Sequence, residues 1–223
     1  MRKAALTILI ILLTGIFVFG SRSINFKIGL FYPSLESDLW ETNMENLSLS
    51  KEDMTDIYYG IEYEYFLGNF LSLSLEGGTY SKTIYSAYKD YVYDDNSPIN
   101  QNIFLRISGI ELDFKLYPIG HRRVFIPYFG GGAGIYSWRY EQWGEFIDFE
   151  YGTVQEGYAD TVAYTPGFNF KGGVILRIKR SLGISFETKY QYLKGTLSSL
   201  FEGFEKLDLS GLTYSLGINL YFR

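Results

Sequence analysis

The sequence predicts an all-β fold, an eight-stranded antiparallel up-and-down transmembrane β-barrel, on three observations. Eight separate stretches alternate apolar and polar residues with a period of two, the repeat of a strand with one apolar and one polar face. The connections between them alternate strictly between long and short, the layout of a barrel whose long loops all leave one end. Aromatics make up 19% of the 223 residues, with 21 Tyr and 18 Phe against 5 Pro, a composition suited to strands.

The first residues stand apart from this pattern. Met1-Arg2-Lys3 is basic, Ala4 to Phe19 is apolar, and Gly20-Ser21 offers small residues for cleavage. This reads as a secretory signal peptide over residues 1–20, cleaved near 20–23, followed by one barrel domain over 23–223. The apolar run is shorter than the roughly 20 residues of a membrane-spanning helix. There is no cysteine, so an exported chain of this kind has no disulfide framework. The net charge of −5 argues against a nucleic-acid partner.

The strands follow in order. The first is Ser23–Tyr32, with Ile24, Phe26, Ile28, Leu30 and Tyr32 on one face and Asn25, Lys27 and Gly29 on the other. A polar segment runs to Asp53. The second, Asp56–Leu67, sets Ile57, Tyr59, Ile61, Tyr63 and Tyr65 against Tyr58, Gly60, Glu62 and Glu64. Gly68-Asn69 is a tight turn. The third starts at Phe70 and sets Leu71, Leu73, Leu75, Gly77 and Thr79 against Ser72, Ser74, Glu76 and Gly78, and a Tyr- and Asp-rich segment, Ser81–Gln101, follows. The fourth, Asn102–Tyr117, changes phase: Ile103, Leu105 and Ile107 lie in one register, and Ile110, Leu112, Phe114 and Leu116 in the other. A β-bulge at Ser108-Gly109 is expected to restore the faces. The fifth runs from Val124 to about Trp138 through Gly130–Gly134. Beyond it, Glu141–Tyr164 is aromatic and partly alternating, as a hairpin rising above the membrane would be. The sixth is Gly167–Ile178, the seventh Leu182–Leu193. After Lys194–Asp208 the closing strand alternates Leu212, Tyr214, Leu216, Ile218, Leu220 and Phe222 with Thr213, Ser215, Gly217, Asn219 and Tyr221.

A soluble barrel also alternates. Here the polar face is rich in Gly, Ser and Asn, which suits a crowded interior, and aromatics gather at strand ends as girdles do. The segments Glu111-Leu112-Asp113-Phe114-Lys115-Leu116-Tyr117-Pro118 and Phe125-Ile126-Pro127-Tyr128-Phe129-Gly130-Gly131-Gly132-Ala133-Gly134, with the ending Ser215–Leu220, resemble the small outer-membrane β-barrel family that includes the OmpA transmembrane domain, OmpX and OmpW. That resemblance implies outer-membrane residence and engagement of the barrel-assembly machinery through the C-terminal strand. The family usually ends on the aromatic itself, whereas Arg223 follows Phe222. Its functions are mixed, so the resemblance names no activity.

An eight-stranded barrel is narrow enough to be filled by side chains. By the phase above, its inward acids are Glu62, Glu64, Glu76, Glu111, Asp113 and Glu187, and its inward bases are Lys27, Arg106, Lys115, Lys171, Arg177 and Lys189. Charges in so tight a space need partners, and the equal numbers favour a structural plug over a selective pore. Small residues at Gly130–Gly134 leave room for inward neighbours or let the strand bend.

Little else in the chain suggests chemistry. The single histidine, His121, falls in a short turn, and no Gly-x-Ser-x-Gly elbow is present. One His and no Cys exclude a zinc site by spacing. Asp94-Asp95-Asn96 lacks the spacing of a calcium loop. No cofactor is expected, and the protein is expected not to be an enzyme. Arg122-Arg123 and Lys179-Arg180 are basic turns suited to phospholipid headgroups. The expected partners are outer-membrane lipids and, through the long loops, a surface ligand. The expected role is structural or surface-interacting. The alternatives are a narrow porin-like channel for small or apolar solutes, as the OmpW resemblance implies, and an outer-membrane lipid-modifying enzyme.

Overall fold

The computed structural model describes residues 21–148 and 151–222; the expected signal peptide lies outside them. The elements are β1 (Arg22–Pro33), α1 (Asp38–Asn46), β2 (Asp56–Phe66), β3 (Leu71–Val92), β4 (Pro98–Leu116), β5 (Phe125–Asp148), β6 (Thr153–Lys179), β7 (Leu182–Tyr192), β8 (Lys194–Gly195), β9 (Leu207–Asp208) and β10 (Gly211–Phe222). Eight antiparallel strands close into a barrel in the order β1, β10, β7, β6, β5, β4, β3, β2. Closure is made at β1, where Ile28 stands opposite Tyr59 of β2 on one side and Leu216 of β10 on the other.

The period of two sorts the side chains. Outward positions carry Phe26, Ile61, Leu112, Phe170, Phe186 and Leu216, all exposed, with Phe170 reaching 69%. A continuous band of exposed large apolar residues is stable only against lipid. Among the described residues no helix is long and apolar enough to cross a membrane; the crossing elements are the strands.

The alternation at Ser108-Gly109 is resolved without a bulge. The pairing of β4 runs unbroken there, with Ser108 opposite Thr79 and Ser137, and Gly109 opposite Gly78 and Tyr136. Ile103, Leu105 and Ile107 keep the inward face and are buried. The phase changes because the interior does: it is charged beside the lower half of β4 and apolar beside the upper half. Gly109 is required for another reason, since a Cβ there would overlap the ring of Tyr136. The β3–β4 register shift falls higher, between Ala87 and Val92.

The segment Ser81–Gln101, expected as an irregular loop, is instead the upper part of a hairpin. β3 pairs with β2 only as far as Tyr80 opposite Tyr58, then continues with β4 to Val92 opposite Pro98. The neighbouring hairpin, where a continuation was expected, is longer still and pairs to Asp148 opposite Thr153. Strands β3 to β6 thus rise beyond the barrel as a four-stranded sheet, adding roughly 40 Å of strand after Tyr80 at about 3.3 Å per residue.

The polar segment after β1 contains α1, nine residues long with Asp38 and Glu41 in its first turn, where carboxylates suit the positive end of the helix. Leu39, Trp40 and Asn43 are its buried residues. It turns these toward the barrel mouth, which it covers together with Phe201 and Leu207 of the last long connection.

Candidate functional site: the barrel interior

Three tiers fill the interior. The lowest is aromatic. Phe66, Tyr117, Tyr128, Ile126 and Ile175 cluster at the short-turn end with Tyr221, and His121 stacks on Phe66 with ring centres 4.1 Å apart. Its Nδ1 lies 3.2 Å from the Asn69 carbonyl.

The middle tier is charged. Inward positions of β2, β3, β4 and β7 supply Glu62, Glu64, Glu76, Glu111, Asp113 and Glu187, all buried. Four buried lysines meet them. Lys27 Nζ lies 2.7 Å from Glu76, 2.7 Å from Glu187 and 3.1 Å from Glu62. Lys171 reaches Asp113 at 2.6 Å and Glu76 at 2.8 Å. Lys189 reaches Glu111 at 2.8 Å and Glu76 at 2.9 Å. Lys115 reaches Glu62 at 2.7 Å. Glu76 is the hub, sharing three lysines and accepting from the Tyr58 hydroxyl at 2.8 Å. Glu64 sits at the margin, 3.9 Å from Lys115, and accepts from the hydroxyls of Ser23, Ser72 and Tyr117. Such mutual satisfaction is what charges in a low-dielectric space require.

Two of the twelve expected residues do not join this layer. Arg106 points outward, exposed, with its guanidinium 5.3 Å over the ring of Phe104. The period of two assigns it inward by setting the apolar residues beside it against lipid, and in the upper barrel those residues face a core. Arg177 does point inward, but at the short-turn end, 4.0 Å over the ring of Tyr221. The expected equality of six acids and six bases is therefore corrected to six carboxylates and four ammoniums.

Neutral donors complete the layer. Asn169 Nδ2 donates to Glu111 and Asp113, both at 2.7 Å, and the Tyr128 hydroxyl donates to Glu187 at 2.7 Å. Sequence reasoning passes over Asn169 and Tyr58 as members of the network, although both occupy the polar phase of their strands. Glu62, Glu76 and Asp113 bring carboxylate oxygens within 4.8 Å of one another, and lysine ammoniums already hold all three.

β5 contributes space. Gly130, Gly132 and Gly134 face inward directly opposite Lys115, Asp113 and Glu111, and a Cβ at any of them would crowd that partner. Gly132→Val is expected to lower stability by about 1–3 kcal/mol through overpacking. Gly172→Ala is the control, because a Cβ there meets nothing closer than 3.8 Å. Urea titration of the folded barrel in vesicles measures both, and equal losses would contradict the assignment of β5 as the spacer.

The upper tier is apolar. Phe31, Tyr80, Ile103, Leu105, Ile107, Tyr136, Trp138 and Tyr140 pack beneath Leu39 and Trp40 of α1. Tyr140 packs edge-on to Trp40 at 5.3 Å and to Phe201 at 5.4 Å. Polar contacts fasten this cap: Asn43 Nδ2 donates to the Tyr140 hydroxyl at 2.8 Å, and Trp40 Nε1 to the Asp208 carbonyl at 3.0 Å. Where this tier meets the charged one, a void of about 10 Å³ remains beside Tyr58, Tyr136, Glu111 and Gln191, room for about one water.

The acidic candidate Asp94-Asp95-Asn96 serves local structure. Asp95 accepts from the Ser97 amide at 2.9 Å and the Ser97 hydroxyl at 2.6 Å, closing the β3–β4 turn, where Asn96 has a positive φ of 63°.

This architecture defines a class, the small eight-stranded β-barrels of outer-membrane type. Solved structures of that class resemble the chain. A major outer membrane protein from Thermus thermophilus is 14% identical, with a TM-score of 0.52, covering 92% of this chain and 100% of that one. The N-terminal β-barrel domain of Pseudomonas aeruginosa OprF is 15% identical, with a TM-score of 0.43, covering 92% and 100%. Neisserial surface protein A is 12% identical, with a TM-score of 0.46, covering 91% and 97%. These likenesses are of fold. No protein-family model matches the sequence, and no curated protein matches it.

Proposed function

We propose that the protein is a non-enzymatic outer-membrane barrel, sealed along its length, that holds a raised sheet away from the membrane for structural or surface-interaction purposes. The observation that carries this reading is the filled interior: aromatic, charged and apolar tiers succeed one another from the short-turn end to the cap. A barrel occupied in this way transports little, and what it can offer a partner lies outside. Tyr85 and Tyr151 are exposed on the raised hairpins, Tyr85 by 81%, and exposed tyrosines suit stacking on sugars or protein surfaces. Membrane lipids meet the apolar belt, and β10 is the strand offered to the assembly machinery.

Epitope tags inserted at Asp94-Asp95 or Gly152 are expected to be reached by antibody on intact cells, and tags at Gly68-Asn69 or Lys179-Arg180 only after permeabilisation. The reverse pattern would contradict the orientation. A glycan and protein screen comparing wild type with Tyr85→Ser/Tyr151→Ser tests the interaction role. The expected result is a ligand that the variant loses, and identical profiles would count against these tyrosines.

A further inference from the structure

At the short-turn end, the turns that follow β4 and β6 are each tied to a neighbouring strand. The Arg177 amide donates to the Val124 carbonyl at 2.8 Å, and the Tyr221 amide to the Ser181 carbonyl at 2.9 Å. Between them opens a pocket of about 600 Å³ bounded by His121, Arg122, Arg177, Lys179, Arg180 and Tyr221, with no Asp or Glu in its lining. Among the described residues, none of its four Arg and Lys side chains is ion-paired. Burial above all holds the His121 imidazole below its ordinary range, against the hydrogen bond to Asn69, and the charges of Arg177 and Arg122 push the same way as burial.

Arg177 is half-buried. Its guanidinium lies on the Tyr221 ring, 4.0 Å from the centre, and its Nε is enclosed with no hydrogen-bond partner. Arg offers a planar fork that matches phosphate oxygens. The pocket also touches the apolar belt, since outward-facing Ile178 and Phe222 border it. A ligand placed there has its charge on the basic rim and its apolar part against the wall.

We propose that this pocket binds the phosphate of an anionic phospholipid headgroup from the leaflet at the short-turn end. Arg177 on Tyr221 forms the floor, and Arg122, Lys179 and Arg180 form the rim. This goes beyond the surface role of the opposite end and does not depend on it.

The test is native mass spectrometry of the folded protein released from mixed micelles containing phosphatidylglycerol or phosphatidylcholine, with inorganic phosphate added in a third arm. Wild type is expected to retain one phosphatidylglycerol in preference to phosphatidylcholine, and inorganic phosphate is expected not to displace it. Arg177→Gln, and separately Arg122→Gln/Arg180→Gln, should weaken retention by roughly fivefold per cation removed. The double variant lies on exposed turns and keeps the test informative if Arg177→Gln folds poorly. Equal retention of the two lipids, or a double variant that retains phosphatidylglycerol as wild type does, would overturn the proposal. Displacement by inorganic phosphate would assign the pocket to a free anion and overturn the lipid assignment.

Discussion

Replacing Lys171 by Met is expected to cost about 3–5 kcal/mol of folding free energy, because it strips a buried ion network of one cation. Lys171 holds Glu76 and Asp113 at 2.8 and 2.6 Å with no exposure of its own side chain. The charged tier already contains two more carboxylates than ammoniums, so losing a lysine deepens the imbalance. Losing a carboxylate relieves it. Glu64→Gln should therefore cost much less, the more so because hydroxyls of Ser23, Ser72 and Tyr117 surround that group. Arg106→Ala is expected to stay within about 0.5 kcal/mol of wild type, as exposed substitutions usually do. Urea titrations in phospholipid vesicles would rank the three, and similar losses for Lys171→Met and Arg106→Ala would contradict the placement of Arg106.

Leu216→Arg is expected to cost roughly 2–4 kcal/mol, the penalty for a cation on the lipid face near mid-bilayer. Leu216 lies near the middle of β10, 59% exposed, flanked by Ile28 and Phe186. Its neighbour Ser215 points inward between Gly29 and Glu187 and is buried. Ser215→Arg should be costly through crowding instead, about 1–3 kcal/mol. The two penalties differ in their dependence on surroundings. The Leu216→Arg cost should shrink on moving from a bilayer to short-chain detergent micelles, and the Ser215→Arg cost should not. If both move together, the assignment of faces along β10 is wrong.

These two sites also mark what the sequence could reveal. Strands β7 and β10 alternate cleanly because lipid lies on one side and a polar interior on the other. Period two then reports the environment directly. Higher in the barrel that contrast fails. Ile103, Leu105 and Ile107 are inward in a segment whose interior is apolar, so the same rule places them in lipid and carries Arg106 inward with them. Above the barrel mouth the contrast is weaker still, since Ser81–Gln101 faces water over much of both sides, and its strands carry no period to read. α1 is hidden for another reason: nine residues with three buried positions give too short a signal inside an acidic segment. In the charged tier, the acids and lysines are legible one strand at a time. Their partners are not, because Lys27 on β1 meets Glu76 on β3 and Glu187 on β7, past the intervening strands β2 and β10, and spacing along the chain carries no record of that.

The most direct test of a sealed barrel is electrical. Purified wild-type protein inserted in a planar bilayer is expected to show no steady conductance if, as proposed, the tiers from Phe66 to Trp40 seal the barrel. Orientation-independent quiet traces, from a preparation whose insertion is verified by protease protection, are the predicted result. A stable and reproducible open level, with ion selectivity that changes in Lys171→Met or Glu62→Gln, would contradict the account and make the charged tier the filter of a pore.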